Sequence, residues 1–490
     1  YFSDIQNYSI LDNSKGAFYY SKYDIITISN SIFENIFIKD NVPLIYSNNI
    51  ILRIKNTTFE RVFTNNNYLF NIGRTVKIEN STFSDTINLF NNEECIYEIK
   101  NSIFKNSITR NSLPFIIDSK YSKISISNSQ FFNLSLSYSL FNEESTLKLN
   151  NIELKDIESN SKALIRTIYN NCQINKLFAE NIVCSGDSND SSLILYNSFG
   201  DKNALELINI NIKNCHTNGP LIKIKGDYNE MYINNSTFMN NISYSSIIDN
   251  SSKECYGVIS SVNFSNNTNN NKYSCGNIHF QNNISAVVLN SNFNNNYNEG
   301  NSGVLCYNNI SSMTLYINNN KFYNNKSKSG SAIYFSGTND SEDSEYTYED
   351  VIIKNNIFYN NTAKYFGGAI YSEYNKLYLA LSYNNKFLFN KAGNMGGAIF
   401  SPHSVDKNLF NLTDDIFENN SVLSNKDDYN SKPAYITLNT KLYNDISINV
   451  GDYFPLEFSL YNEFNDLSTD IAKYYSLLTL KLNINKKTIQ

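Results

Sequence analysis

One short pattern recurs along most of the chain: Asn, two further residues, and then Phe or another apolar residue. It is seen as NSIF ending at Phe33, NTTF ending at Phe59 and NNKF ending at Phe387. Fifteen units follow one another at spacings of 21 to 36 residues, with apolar anchors at Phe33, Phe59, Phe83, Phe104, Phe131, Leu154, Phe178, Ile212, Phe238, Phe264, Phe293, Phe322, Phe358, Phe387 and Phe417. A unit this short cannot bury a core by itself, so the repeat indicates a solenoid of stacked units.

The residues before the repeated Asn alternate between apolar and polar. IITISN, ILRIKN and TVKIEN place Ile, Leu or Val at every second position. This period of two predicts short strands with one buried face, each ended by a corner at the Asn. Stacked about 4.8 Å apart, such coils give an all-β fold. We expect a right-handed parallel β-helix of about fifteen coils over residues 1–420.

The repeated Asn is suited to a corner that is turned once per coil. Asn tolerates the left-handed backbone region, and its amide both donates and accepts hydrogen bonds. Asn side chains stacked on one corner are therefore expected to bond along the solenoid axis as a ladder. The predicted ladder residues are Asn30, Asn56, Asn80, Asn101, Asn128, Asn235, Asn290, Asn319, Asn355 and Asn384.

Composition and charge limit the class of protein, its location and its partners. Apolar residues make up 41% of the 490 residues, with 37 Tyr and 32 Phe, which is enough for a continuous core. The net charge is −6 and the five Arg residues lie in about the first third, so nucleic acid is not expected as a partner. No run of 18 apolar residues predicts a membrane span. N-x-S/T sequons such as those at Asn56 and Asn235 favour a secreted chain, and the start at Tyr1 indicates a segment of a longer protein.

Seven Cys residues occur without a CxxC pair, so no zinc site is predicted. Cys184 and Cys215 are 31 residues apart, as are Cys275 and Cys306, which is about one repeat. Each pair is therefore a candidate disulfide between neighbouring coils. The alternative is that these residues are small buried hydrophobes, and the odd count leaves at least one thiol free.

A second motif joins the repeat in the later coils. The chain reads FYNNTAKYFGGAI from Phe358 and FLFNKAGNMGGAI from Phe387. This combination of F-x-x-N with GGAI resembles the repeat of polymorphic outer membrane proteins and their eukaryotic relatives. The resemblance implies a right-handed parallel β-helix at a cell surface.

The last part of the chain changes character. The periodic Asn stops, and residues 421–435 are interpreted as a linker. Residues 436–490 show longer alternating strands, and SLYNEFNDL is similar to a motif of immunoglobulin-like repeats in surface proteins. About 55 residues are too few for a full sandwich, so this segment is either truncated or a cap on the open end of the solenoid.

The candidate binding residues lie in and beside the longest insertion, GTNDSEDSEYTYED from Gly337 to Asp350. Insertions in solenoids project from one face and often carry binding residues. Exposed Tyr beside acids is typical of an interface. The predicted set is Asp343, Glu345, Tyr346, Tyr348, Tyr359 and Tyr365. No EF-hand spacing accompanies the acids, so no metal or other cofactor is predicted.

Two classes of function remain open. Carbohydrate lyases and hydrolases of the β-helix type need charged side chains from adjacent coils in one groove, and the sequence shows no such constellation of acids or histidines. The favoured interpretation is a non-catalytic extracellular scaffold or adhesin. The Asn-, Ile-, Tyr- and Lys-rich composition and GDYFPLEFSLYNEF resemble the surface scaffoldins of anaerobic gut fungi, which implies docking of dockerin-bearing enzymes. A plant polysaccharide is the alternative ligand.

Overall fold

The computed structural model describes residues 2–3, 6–7, 15–20, 25–187, 191–200, 202–338, 351–374, 381–401, 414–423, 425–431, 433–441, 453, 456–462 and 467. The predicted all-β fold is confirmed: the described residues contain strands and no α-helix. Nearly all strands join one parallel sheet system that winds into a right-handed solenoid of about 14 turns.

The strands are mostly short, and several bend through a corner so that one strand serves two sides of a coil. In the first half they are Phe2–Ser3, Gln6–Asn7, Tyr19–Tyr20, Ile25–Ser29, Ile32–Ile38, Ile45–Lys55, Thr58–Thr64, Phe70–Glu79, Thr82–Thr86, Phe90–Glu93, Ile96–Lys100, Ile103–Lys105, Ile117–Lys120, Lys123–Leu136, Thr146–Ser159, Ile165–Ile168, Cys172–Cys184, Ile194–Asn197, Asn203–Ile208, Asn211–Lys213, His216–Thr217, Ile222–Lys225, Tyr228–Asn234, Thr237–Met239 and Ile242–Ser243.

The remaining strands follow the same order around the coil until the last few. They are Ile248–Asn250, Glu254–Ser260, Asn263–Ser265, Thr268–Asn269, Ile278–Leu289, Asn292–Asn294, Tyr297–Asn298, Leu305–Asn318, Lys321–Tyr323, Lys326–Ser329, Ile333–Gly337, Val351–Lys354, Ile357–Tyr359, Thr362–Phe366, Ile370–Glu373, Leu381–Tyr383, Lys386–Leu388, Lys391–Ala392, Ile399–Ser401, Ile416–Glu418, Ser421–Val422, Asn425–Lys426, Tyr429–Ser431, Pro433–Leu438 and Phe458–Asn462.

One coil in the middle of the chain shows the plan. Face 1 carries Tyr228–Asn234, face 2 Thr237–Met239, face 3 Ile242–Ser243 and face 4 Ile248–Asn250. Each of these strands pairs in parallel with its counterpart in the next coil. Alternate side chains point inwards and form one continuous core, as the period of two predicts.

The apolar anchors stack along the inside of face 2. Phe322, Phe358 and Phe387 are fully buried, and their ring centroids lie 4.9 and 4.6 Å apart in nearly parallel pairs. The anchor predicted at Phe178 is wrong by one residue, because Leu154 pairs with Ala179. Ala179 is buried, whereas Phe178 points outwards under Lys213. The left-handed corner of this coil is at Lys176, with φ of 55°, and not at Asn175, so counting three residues from the Asn placed the anchor one position early and on the opposite side of the strand.

The repeated Asn turns the corner between faces 1 and 2. All ten predicted ladder residues have positive φ values, from 48° at Asn101 and Asn235 to 57° at Asn319 and Asn384. Asn56 donates from Nδ2 to Oδ1 of Asn30 at 3.0 Å, Asn80 donates to Asn56 at 3.2 Å, and Asn101 donates to Asn80 at 3.1 Å. Further along, Asn319 donates to Asn290 at 2.7 Å. The left-handed conformation therefore places the amides in line along the axis.

A second Asn row lies inside the solenoid, at the third residue after the Phe anchor. Its members are fully or almost fully buried: Asn241, Asn267, Asn296, Asn325, Asn361, Asn390 and Asn420. Asn361 donates from Nδ2 to Phe322 O at 2.9 Å and to Asn390 Oδ1 at 3.0 Å, and its own Oδ1 accepts from N and Nδ2 of Asn325. The F-x-x-N motif thus supplies polar groups that satisfy the buried backbone at the turn.

The paired glycines of GGAI meet two different requirements. Gly367 has φ of 58°, in the left-handed region, and an added Cβ would lie 2.1 Å from Ile370 O. At Gly368 an added Cβ would lie 2.0 Å from Gly397 O in the next coil. The first glycine is needed for the turn and the second for the close approach of two coils.

Another interior row, directly after the corner Asn, ends in a carboxylate. Asp415 Oδ1 accepts from N and Nδ2 of Asn385 at 2.7 and 3.1 Å, and Oδ2 accepts from Ser382 Oγ at 2.6 Å. Preceding coils carry Asn356 and Asn320 at this position. Burial raises the pKa of Asp415, although the hydrogen bonds from Ser382 and Asn385 oppose the shift. The row therefore keeps one ionisable group almost out of water.

We predict that Asp415→Asn stabilises the chain at pH 7. A raised pKa means that the folded state holds this proton more tightly, so the stabilising contribution is present at low pH and is lost as pH rises through the folded pKa. The amide retains an acceptor without the buried charge, and we expect a gain on the order of 1 kcal/mol at pH 7. Urea unfolding at pH 7 and at about pH 3 measures both values, since Asp is mostly protonated at the lower pH. A gain of equal size at both pH values would contradict the assignment.

The cysteines divide into one disulfide and five buried thiols. The predicted Cys275–Cys306 disulfide is confirmed, and it joins neighbouring coils. The predicted Cys184–Cys215 disulfide is wrong, because both residues are free thiols. Cys184 lies in register with Thr217, so the two cysteines occupy different positions of their coils. Two residues one repeat apart in sequence therefore need not occupy the same position in their coils, because the loops of the coils differ in length.

The solenoid sheet extends past the predicted boundary at residue 420. Ser421–Val422 and Tyr429–Ser431, within the segment interpreted as a linker, pair in parallel with strands of the preceding coil. Pro433–Leu438 and Phe458–Asn462 then form an antiparallel hairpin. Leu460 from this hairpin is buried in an apolar cluster with Tyr371 and Phe400. The described part of the predicted sandwich therefore lies against the outer side of face 4.

Candidate functional site

The outer sides of faces 2 and 3 in the last coils carry a set of lysines and aromatic rings. We call it the lysine–aromatic face, and it consists of Lys321, Tyr323, Lys326, Tyr359, Lys364, Tyr365, Lys386, Phe389 and Lys391. Strands Lys321–Tyr323, Ile357–Tyr359 and Lys386–Leu388 position the face 2 members side by side. Thr362 lies between Lys326 and Lys391 on face 3 in the same way. The parallel register therefore aligns residues that are far apart in sequence.

The five lysines of this face are exposed and lack carboxylate partners. None of them lies within 4.0 Å of a carboxylate among the residues that the structure describes. In the earlier coils several lysines are paired with carboxylates of a neighbouring coil: Lys77 lies 3.0 Å from Glu98, and Lys120 lies 3.3 Å from Glu144. The lysine–aromatic face is thus a local excess of positive charge on a chain whose net charge is −6.

The aromatic rings of this face are arranged edge to face across the coils. The ring centroids of Tyr323 and Tyr359 lie 5.7 Å apart, and those of Tyr359 and Phe389 lie 5.6 Å apart. Tyr359 and Phe389 are each 41% exposed. Lys364 lies 5.1 Å from the centroid of Tyr365, which is 37% exposed. Half-exposed aromatic rings are enriched in protein interfaces, and a cation beside a ring is attracted to its face.

The six predicted binding residues fall into two groups. Tyr359 and Tyr365 lie on the lysine–aromatic face, on the same strand–corner–strand segment of one coil. Asp343, Glu345, Tyr346 and Tyr348 lie outside the described residues. The lysines were missed by sequence reasoning, although a signal was present. Lys321 and Lys386 both directly precede the Phe in NNKF, and Lys326 and Lys391 both follow that Phe by four residues.

Two grooves run along the corners on either side of face 2 in the earlier coils. The larger has a volume of about 600 Å³ and is lined mainly by corner Asn residues, with Glu153 and Lys176 as its charged members. Glu153 accepts a hydrogen bond from Gln130 Nε2 at 2.7 Å. The second groove, of about 410 Å³, contains Asp156 and Glu158. These grooves are the places where an enzymatic alternative would have to be sought.

Two absences among the described residues bear on ligands and membranes. No three His, Cys, Asp or Glu side chains within that part of the chain come together as a possible metal site. The same residues include no helix with the length and apolar character needed to cross a membrane.

Comparison with known proteins gives no relative from which a function could be transferred, so the function is inferred from the residues of this chain. No protein-family model, no curated protein and no solved structure matches this chain.

Proposed function

We propose that this chain is a non-catalytic extracellular binding module, a scaffold or adhesin whose lysine–aromatic face docks a protein partner with exposed carboxylates. The observation that carries the proposal is the set of five exposed lysines without carboxylate partners among the described residues, interleaved with half-exposed rings. Acidic side chains on a partner would complement the charge, and the rings would supply the buried centre of the interface.

The rigid solenoid supports this role. Parallel strands on faces 2 and 3 fix the backbone positions of the face, so little backbone ordering is needed when a partner binds. The resemblance to gut-fungal scaffoldins implies a protein partner, namely the dockerin modules of secreted carbohydrate-active enzymes. We propose those enzymes as the first partners to test, and the cell surface or extracellular space as the location.

The partner is tested by immobilising the 490-residue chain and exposing it to the secreted enzymes of an anaerobic gut fungus. We expect dockerin-bearing hydrolases to be retained and identified by mass spectrometry. Affinity is then measured with one purified hydrolase, and with the same hydrolase after removal of its dockerin. Loss of binding on dockerin removal would support the proposal. Equal binding without the dockerin would contradict the assigned partner.

The docking face is tested by truncating its two most exposed rings. We predict that Tyr359→Ala with Phe389→Ala weakens binding to the dockerin-bearing hydrolase about tenfold or more, because central aromatic residues dominate interface energies. Tyr169→Ala with Phe199→Ala is the matched control, since this stacked pair is also exposed but lies on another part of the solenoid. Equal losses in both variants would place the interface elsewhere.

The enzymatic alternative has its own readout. The chain is incubated with pectin and with other plant polysaccharides, and released reducing sugar is measured. Sugar release by the chain, together with failure to retain any dockerin-bearing protein, would overturn the binding proposal. A variant with Glu153→Gln and Asp156→Asn would then test the two corner grooves.

A further inference from the structure

A row of side chains on the outer side of face 4 brings a His–Asp pair next to the disulfide. Parallel pairing places Asp249 beside His279, His279 beside Cys306, and Cys306 beside Tyr334 in successive coils. The neighbouring residues Ile278 and Phe280 are buried in the core, so His279 and Cys306 both project outwards. Strands in register lie about 4.8 Å apart, so His279 and Cys306 are separated by one strand spacing on the same side of face 4.

His279 is held in a defined orientation. Its Nδ1 lies 2.7 Å from Oδ1 of Asp249, and both side chains are mostly buried, with 14% and 16% exposure. When Nδ1 donates its proton to Asp249, Nε2 is the nitrogen that gains or loses the second proton. Nε2 is buried and has no hydrogen-bond partner among the described residues. Buried ring nitrogens are normally satisfied, so an unpartnered one calls for a chemical explanation.

The disulfide beside this pair is asymmetric in its exposure. Cys275 is 9% exposed, whereas Cys306 is completely buried. Gly276, which follows Cys275, has φ of 67°, and an added Cβ would lie 2.6 Å from the Cβ of Cys306. The glycine therefore lets the Cys275 loop close tightly over face 4. The other five cysteines are buried thiols, and burial raises the pKa of Cys172, Cys215 and Cys255 to about 12, so they are poor nucleophiles.

We propose that the Cys275–Cys306 disulfide is a site of thiol–disulfide exchange with dithiols. His279 is the acid of this exchange, and Asp249 is its positioning residue. An external thiolate attacks Sγ of Cys275, the less buried of the two cysteines. The bond between the two protein sulfurs breaks, and its electron pair leaves with Cys306, which takes a proton from Nε2 of His279. The second thiol of the reductant loses its proton to solvent and attacks the mixed disulfide as a thiolate. This step releases Cys275 as a thiolate, and both Cys275 and His279 then take a proton from solvent. Two electrons pass to the protein, and the reductant becomes a disulfide.

The role of the pair follows from leaving-group chemistry. A thiol beside a protonated imidazole has a lowered pKa, and a lower pKa makes a thiolate a better leaving group. Asp249 stabilises the imidazolium through the hydrogen bond to Nδ1. The other titratable groups in the row are Lys223, in register with Asp249 on the far side from His279, and Tyr334, in register with Cys306. Tyr334 hydrogen-bonds Glu373, and burial raises its pKa, so its hydroxyl stays protonated at neutral pH.

The test measures the rate at which dithiothreitol reduces the disulfide in the whole chain between pH 5.5 and 8.5. Free thiols are trapped and counted by mass spectrometry, and each rate is divided by the concentration of the reductant's thiolate. In the unchanged protein we expect this corrected rate constant to fall as pH rises and His279 loses its proton. In His279→Gln we expect a value that does not vary with pH and is about tenfold lower at pH 6.

Matched variants separate chemistry from structure. Asp249→Asn keeps the imidazole but removes the charge that supports it, so we expect an intermediate rate and a pH dependence shifted to lower pH. His216→Gln changes an exposed histidine of face 3 and should leave the rate unchanged. The far-UV circular dichroism of each variant is compared with the unchanged protein.

Two results would overturn the proposal. The first is a corrected rate constant that is equal in the unchanged protein and His279→Gln and independent of pH in both. The second is reduction that proceeds only at the rate of global unfolding, measured by proteolysis under the same conditions. Either result would show that the disulfide is purely structural and that the hydrogen bond between His279 and Asp249 has no part in its reduction.

Discussion

Replacing Asn361 with Leu should lower the free energy of unfolding by about 3 to 5 kcal/mol, the sum of two or more unsatisfied buried groups. Its Oδ1 accepts from N and Nδ2 of Asn325, and its Nδ2 donates to Phe322 O and Asn390 Oδ1. Leu has nearly the same size but makes none of these bonds. Urea unfolding followed by far-UV circular dichroism measures the loss.

The matched control is Asn355→Gly in the same coil. Asn355 is exposed, has φ of 55°, and makes one side-chain bond, from Nδ2 to Asn318 Oδ1 at 2.9 Å. Glycine accepts this φ without strain, so we expect a loss of about 1 kcal/mol or less. Hydrogen exchange should place the effect of Asn361→Leu in the coils next to it, because solenoid stability depends on neighbouring repeats. Similar losses for the two variants would contradict a special role for the interior row.

The second large effect is expected at Phe358. Phe358→Ala removes a ring that is fully buried between Phe322 and Phe387, and the coils above and below cannot close the gap without breaking their register. We expect a loss of about 3 to 5 kcal/mol, the usual cost of such a truncation in a packed core. Thermal and urea unfolding both report it.

Phe389→Ala provides the comparison for Phe358→Ala, since it makes the same chemical change two residues beyond the next anchor. Phe389 is 41% exposed and lies on the outer surface, so its loss should cost about 1 kcal/mol or less. The same variant is part of the binding test, which separates its effect on docking from its effect on stability. A loss at Phe389 as large as that at Phe358 would mean that the stack does not carry the core.

Much of the fold could be predicted because its determinants are local. A period of two specifies a strand with one buried side, and Asn before a Phe specifies a left-handed corner. Both rules held in coils as far apart as those of Asn30 and Asn384. Stacking followed because no single unit can bury its own apolar side. Tyr359 and Tyr365 could be proposed as binding residues because they are aromatic and lie between structural positions of the repeat.

The remaining features depended on which residues of neighbouring coils lie in register. The sequence does not show this register, because the loops between the strands vary in length. Ala179 rather than Phe178 lies inside the stack, because the corner of that coil is at Lys176 and not at an Asn. Two cysteine pairs had the same spacing of 31 residues, but of these two pairs only Cys275 and Cys306 form a disulfide. The cross-coil partners of lysines, and their absence beside Lys321 and Lys386 among the described residues, could be seen only after the coils were aligned in space.

The sequence by itself determined the coil: its alternating strands, its Asn corners, its Phe core and its all-β class. These follow from backbone preference and side-chain alternation over a few residues. Only the tertiary structure decided which residues of different coils meet, including the interior bonds of Asn361, the lysine–aromatic face, and His279 between Asp249 and Cys306. Those contacts join residues about 30 positions apart, and parallel pairing alone sets which of them lie side by side.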